Sequence, residues 1–179
     1  MSRPHPNEAA NERVWAPWRL GYVKKAAVPD SGEECIFCDK PRAADEAGPD
    51  GDRENLIVHR GEHCFVLLNL YPYTSGHLMV APFAHIGSLP ELPAEAAAEM
   101  MDLVKRSITV LEATHSPHAF NVGMNQGRVA GAGVEHHIHM HVVPRWNGDN
   151  NFMPVIAETR VIPQALDETW QLVTEEFNK

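Results

Sequence analysis

What this sequence lacks limits its chemistry first. No apolar run reaches the roughly 18 residues that a membrane-crossing helix needs. Residues 1–25 have no uninterrupted apolar core of the kind a secretory leader carries. Cysteine is scarce, and its count of three is odd. That argues against a disulfide framework and for thiols or a metal site in a reducing cytoplasm. Basic residues are also few, 15 Lys and Arg against 24 Asp and Glu, for a net charge of −9. A general nucleic-acid surface wants the opposite balance. A small anionic substrate is still allowed, because backbone amides and helix N-termini bind phosphate locally under an acidic global field. Neither internal repeats nor low-complexity segments interrupt the 179 residues, so one domain is expected over 13–179, after a polar, disordered segment at 1–12.

Against that background the stretch His137-Ile138-His139-Met140-His141-Val142-Val143 stands out. In a β-strand, alternate side chains share a face. The three imidazoles would line one face while Ile138, Met140 and Val142 turn to the core. Such a cluster suits two chemistries: holding a metal, or working on a phosphate as nucleophile and acid/base. A His-rich solvent face on an edge strand is the bland alternative. The apolar Val142-Val143 and the approach Gly131-Ala132-Gly133 favour a shaped site instead. The backbone N–H groups of that approach, with Asn125 before it, can cradle phosphate. Arg145 follows the histidines and can pair with a distal phosphate or form a surface salt bridge. A second motif, Cys35-Ile36-Phe37-Cys38, fits half of a tetrahedral zinc site or a redox pair. The redox version wants a βαβ setting, which the pattern does not offer. Cys64 sits in an apolar run and reads as a core thiol.

Short apolar runs separated by turn residues predict strands at Leu56–Val58, Cys64–Leu68, His77–Ala81, Phe120–Met124 and His137–Val143. Pro93 opens a long helical pattern with Ala97, Met101, Val104, Ile108 and Leu111 on one face. From Pro163 a second helical period follows, with Leu166, Trp170, Val173 and Phe177. The segments 28–32 and 40–53, rich in Pro, Gly and acids, read as surface loops. Strands, one long helix and strands again predict an α+β fold with an antiparallel sheet.

The pattern His-φ-His-φ-His-φ-φ (φ apolar) resembles the signature of the histidine-triad (HIT) family of nucleotide hydrolases and transferases. Leu67-Leu68-Asn69-Leu70-Tyr71-Pro72-Tyr73-Thr74-Ser75-Gly76-His77-Leu78-Met79-Val80 is similar to the family's second block. Trp15-Ala16-Pro17-Trp18-Arg19, Val143-Pro144-Arg145-Trp146-Asn147-Gly148-Asp149 and Asn151-Phe152-Met153-Pro154 resemble the branch with bacterial diadenosine tetraphosphate (Ap4A) phosphorylases. The similarity spans residues 13–177. It implies a five-stranded antiparallel sheet with one long helix and a C-terminal helix, assembled as a homodimer or higher homo-oligomer.

By the same resemblance His139 is a nucleophile that takes up a nucleotidyl group, His141 a phosphate or leaving-group donor, and His77 a further pocket histidine. Asn69 holds the place of the ribose-binding residue. Cys35, Cys38, His85 and His137 hold the places of ligands to a structural zinc. Many members carry Gln-Ser or Gln-Thr where this chain has Ala132-Gly133, which removes side-chain help to the leaving group and leaves room for a larger polyphosphate or an incoming phosphate. The expected partners are an adenine nucleotide or dinucleoside polyphosphate and inorganic phosphate, with no nucleic acid and no membrane. Hydrolysis, phosphoramidate cleavage, a three-histidine metallohydrolase and a non-catalytic nucleotide-binding module are the competing expectations.

Overall fold

Two apolar runs that are buried on both faces make the middle of the sheet. In the computed structural model, which describes residues 35–149 and 165–179, β2 (Cys64–Leu68) and β3 (Leu78–Pro82) are buried at every position. Around them lie β1 (Ile57–Arg60), β4 (Ala119–Met124) and β5 (Met140–Arg145), in the order β1-β2-β3-β5-β4 with every neighbouring pair antiparallel. Helices α1 (Ile36–Ala47) and α2 (Gly51–Glu54) precede the sheet, α3 (Ala94–His115) joins β3 to β4, and α4 (Leu166–Phe177) closes the described chain. The fold is α+β, with a five-stranded antiparallel sheet, one long helix and a C-terminal helix. The segments 1–12, Trp15–Arg19, 28–32, Asn151–Pro154 and the Pro163 helix start lie outside the described residues.

The period-2 alternation sorts the side chains into two cores. Cys64, Val66 and Leu68 of β2, with Leu78 and Val80 of β3, face Met100, Leu103, Val104 and Leu111 of α3 and Val173 and Phe177 of α4. Phe65, Leu67, Met79 and Ala81 face the other way, onto Cys35, Phe37 and Ala44 of the α1 segment. Burying a side chain such as Phe37 contributes about 1.5–3 kcal/mol. The α1 segment is therefore a true second layer. Cys64 sits in the first core, fully buried, and its thiol is pushed up to about 12 by that burial.

Three expectations are corrected. The stretch 40–53 is mostly helix, because Phe37, Pro41 and Ala44 share one buried face, and that burial outweighs the backbone bond Pro41 cannot make. The buried face of α3 runs through Ala96, Met100, Leu103, Val104, Ser107, Val110 and Leu111, so Val104 and Leu111 lie on it as expected, Ala97 and Ile108 pack at its margin, and Met101 is half exposed. The last strand begins at Met140 rather than His137, since ladder pairing to β3 starts at Val80 and Met140. Ahead of it, the Ile138 N–H donates to Ile86 O instead.

Candidate active site

Strand register decides where the histidines go. Met79 pairs with His141, so His141 shares the face that carries Met79 and the α1 layer. His77 immediately precedes β3 and keeps the same alternation. Its ring is fully buried and stacked on Tyr73, with centroids 4.9 Å apart. Tyr73 N–H donates to His77 Nδ1 at 3.1 Å, so the His77 proton sits on Nε2 and is directed to His141 Nδ1 at 3.0 Å. His141, thus accepting at Nδ1, carries its own proton on Nε2. Gly76 makes this turn possible: its φ is +76°, and a Cβ there would lie 2.9 Å from Leu111 Cδ2.

His139 takes the opposite tautomer. Its Nδ1 lies 3.0 Å from His137 O and donates to it, which leaves the Nε2 lone pair without a proton. Burial holds its pKa below the usual histidine value. The ring is flanked by Phe37, at a centroid distance of 4.5 Å, and by the edge of His141 at 4.8 Å. The three triad rings thus point to three different partners and do not converge on one ion, which weighs against a three-histidine metal centre.

His137 belongs to another constellation. Its Nδ1 lies 3.2 Å from Cys35 Sγ and 3.5 Å from Cys38 Sγ, and Cys38 Sγ lies 3.3 Å from His85 Nδ1. The four donor atoms fall within 4.8 Å of one another. Bond lengths of about 2.3 Å to sulfur and 2.0–2.1 Å to nitrogen put tetrahedral donors about 3.3–3.8 Å apart, so the donor set fits a metal. His137 Nε2 donates to Pro82 O at 2.8 Å, the outer bond that fixes a ligating imidazole. Burial lowers His137 to about 4, which keeps its ring neutral as a metal ligand must be, and burial with the adjacent Cys35 pushes Cys38 up to about 11, a shift that a bound cation would reverse. Cys35 stands at the N-cap of α1 without making a side-chain cap, and its thiol turns to this cluster instead.

A cleft of about 370 Å³ opens beside His141, lined also by Tyr73, Thr74, Asn121, Asn125, Arg145 and Asp149. Asn125 therefore comes to the triad, but Gly131, Ala132 and Gly133 are not among its lining residues. Gly131 N–H donates to Arg128 O and Ala132 N–H to Gly127 O, so both serve the loop itself. Arg145 lines the cleft with its charge engaged by both oxygens of Asp149, at 2.5 and 2.8 Å, and by Asn121 Oδ1 at 2.9 Å. Asn69 lies behind His77. It accepts from Tyr71 N–H and approaches His77 Nδ1 at 3.3 Å, a turn residue in contact with the triad support. Sequence reasoning passed over Phe37, Tyr73, Asn121 and Asp149. Tyr73 had a signal, four residues ahead of His77 across a glycine turn, whereas Phe37 had none beyond its place between the two thiols.

Residues 51–148 match the family model described as the HIT domain, more than half of the chain. The chain belongs to the HIT family. An Ap4A phosphorylase of Mycobacterium tuberculosis is 40% identical over 171 residues, covering 93% of this chain and 84% of that protein. An uncharacterized HIT-like protein of Methanocaldococcus jannaschii is 31% identical over 115 residues, 64% of this chain and 81% of the relative. Among solved structures, a zinc-bound histidine-triad protein from Mycobacterium smegmatis superposes with a TM-score of 0.61 at 27% identity, covering 81% of this chain and 94% of that one.

Proposed function

We propose that this HIT protein is a nucleotidyltransferase that splits dinucleoside polyphosphates, Ap4A in the first instance, with inorganic phosphate as acceptor. The observation that carries the reading is the paired tautomers. His139 presents an unprotonated Nε2, held by its bond to His137 O, beside a His141 whose Nε2–H is fixed by His77. In the first step His139 Nε2 attacks the phosphorus next to one adenosine, and the bond to the bridging oxygen breaks. ATP departs, its new terminal oxygen accepting a hydrogen bond from His141. In the second step a phosphate oxygen attacks the same phosphorus, the P–N bond breaks and ADP forms. Asn69 is assigned to the ribose and Asn125 to the phosphates, the latter supported by its place in the His141 cleft. The 40% identity to the mycobacterial Ap4A phosphorylase supports this branch of the family.

Zinc is the metal proposed for Cys35, Cys38, His85 and His137, on the grounds of the donor set and the zinc-bound relative. Four protein donors close its shell, so its role is to fasten α1 to the sheet. The homodimer or higher homo-oligomer implied by the family stands as part of the proposal, and light scattering on the eluting protein checks it.

One observation favours a second acceptor. Arg145 is neutralised by Asp149, and the Gly131 and Ala132 N–H groups are engaged in their own loop, which leaves fewer donors for an incoming dianion. Water is then the acceptor and the enzyme a hydrolase. Incubation of Ap4A with and without inorganic phosphate separates the two. ATP with ADP, formed only when phosphate is present, is the expected result. AMP with ATP at a rate indifferent to phosphate identifies the hydrolase.

A further inference from the structure

Between the two thiols of the metal cluster lies Phe37, and this ring connects the cluster to His139. Phe37 is 1% exposed. Its ring centroid lies 4.5 Å from that of His139, tilted by 33°, and 5.2 Å from that of His137. The first turn of α1 carries it, and Cys35 O there accepts from both Cys38 N–H and Asp39 N–H. One rigid turn therefore presents both thiols and this ring. The far end of α1 is fastened without any metal. Pro41 and Ala44 are buried, while Arg60 on β1 donates to Pro41 O and pairs with Asp45 and Asp52.

Among the described residues, the hydrogen bond from Nδ1 to His137 O is the one that orients His139. A single bond sets a direction but leaves the imidazole able to swing about it. His141, T-shaped to the ring at 4.8 Å, and Phe37, tilted by 33° against it at 4.5 Å, both limit that swing. Resting on the reading of His139 as nucleophile, we propose that Phe37 is a positioning residue: held between the metal-binding thiols, its ring keeps the His139 imidazole on its bond to His137 O. The metal clamp thereby becomes part of the orientation of the nucleophile. His137, which supplies one metal donor and the accepting carbonyl, is the second connection between the two.

The test uses the full chain with its metal bound and reads the histidine rings by ¹H–¹⁵N NMR without nucleotide. Wild type is expected to show His139 as one neutral tautomer with the proton on Nδ1. Phe37→Leu keeps an apolar side chain there but removes the flat face. Its metal content and helical circular dichroism should match wild type, while His139 becomes a mixture of tautomers. With Ap4A and phosphate, kcat should then fall about tenfold to a hundredfold at a KM within about twofold, the size expected for a misplaced reactive group. Phe37→Leu with the wild-type tautomer and kcat overturns the proposal. Should that variant not fold, the same spectrum of metal-bound Phe37→Met decides. A mixed tautomer with α1 still helical supports the proposal, and an unchanged one overturns it. Because the NMR arm contains no nucleotide, a chain that turns over no Ap4A refutes the functional reading while the rings still judge Phe37.

Discussion

His139, His141 and His77 have the same side chain, yet their neighbours give each a different proton arrangement. A carbonyl at Nδ1 frees Nε2 of His139, and an N–H donor at Nδ1 of His77 forces its proton toward His141. Losing the first should cost far more than losing the second. His139→Ala is expected to lower kcat by several powers of ten while nucleotide still binds, as measured by turnover and by calorimetric titration. His77→Gln leaves the proposed nucleophile in place and loosens His141, so a fall in kcat of about tenfold to a hundredfold is expected. Equal losses from both would mean that His77 itself touches the reacting atoms. Gly76→Ala tests the turn that sets up His77. A left-handed φ and a close Leu111 methyl predict a destabilisation of about 1–3 kcal/mol in urea unfolding.

At the scale of elements, legibility in the sequence followed burial. The β2 strand was readable to its ends because both faces are buried and no polar residue interrupts Cys64–Leu68. The α1 helix was not, since its charged outer face and Pro41 mimic a loop, and the face that matters is made of three residues spread over about two turns. The candidate metal ligands were legible as a set by resemblance, and the structure brings all four together. The link from Phe37 to His139 was not legible, because nothing local to either residue marks a contact between segments so distant in sequence.

This division shapes two expectations for stability. Chelation should lower the melting temperature by loosening the α1 layer, and leave the core of α3 and α4 on the opposite face folded. Loss of all amide protection in one step would instead make the two cores a single unit. On that opposite face His59 stacks on Phe177. Burial, with Arg106 close and Glu99 opposing, lowers its pKa from 6.5. The folded chain thus binds fewer protons there than the unfolded chain. Its stability is full above about pH 6.5 and declines as the pH falls toward the lower folded pKa. His59→Phe should flatten the pH dependence of the melting temperature below about pH 6.5, and an unchanged slope would assign that dependence to other groups.

Taken as a whole, the molecule carries a net charge of −9, and the proposed substrates are polyanions. Long-range repulsion should slow their encounter. The local field at the cleft offers limited compensation, because Arg145, the cation among its lining residues, is paired with Asp149. On the proposed function, recognition then falls to short-range hydrogen bonds from cleft residues such as His141 and Asn125, which salt screens little. The two ranges respond differently to ionic strength: the Debye length shrinks from about 30 Å at 0.01 M to about 10 Å at 0.1 M, which removes repulsion across the molecule and spares contacts at hydrogen-bond distance. Added monovalent salt over that range is therefore expected to raise kcat/KM for Ap4A while kcat stays constant. A fall with salt would place an unscreened positive field at the cleft, which requires Arg145 to leave Asp149 for the substrate. In that case Asp149→Asn, which weakens the competing partner, should tighten KM. With the pair intact, the same substitution should loosen Arg145 and raise KM instead.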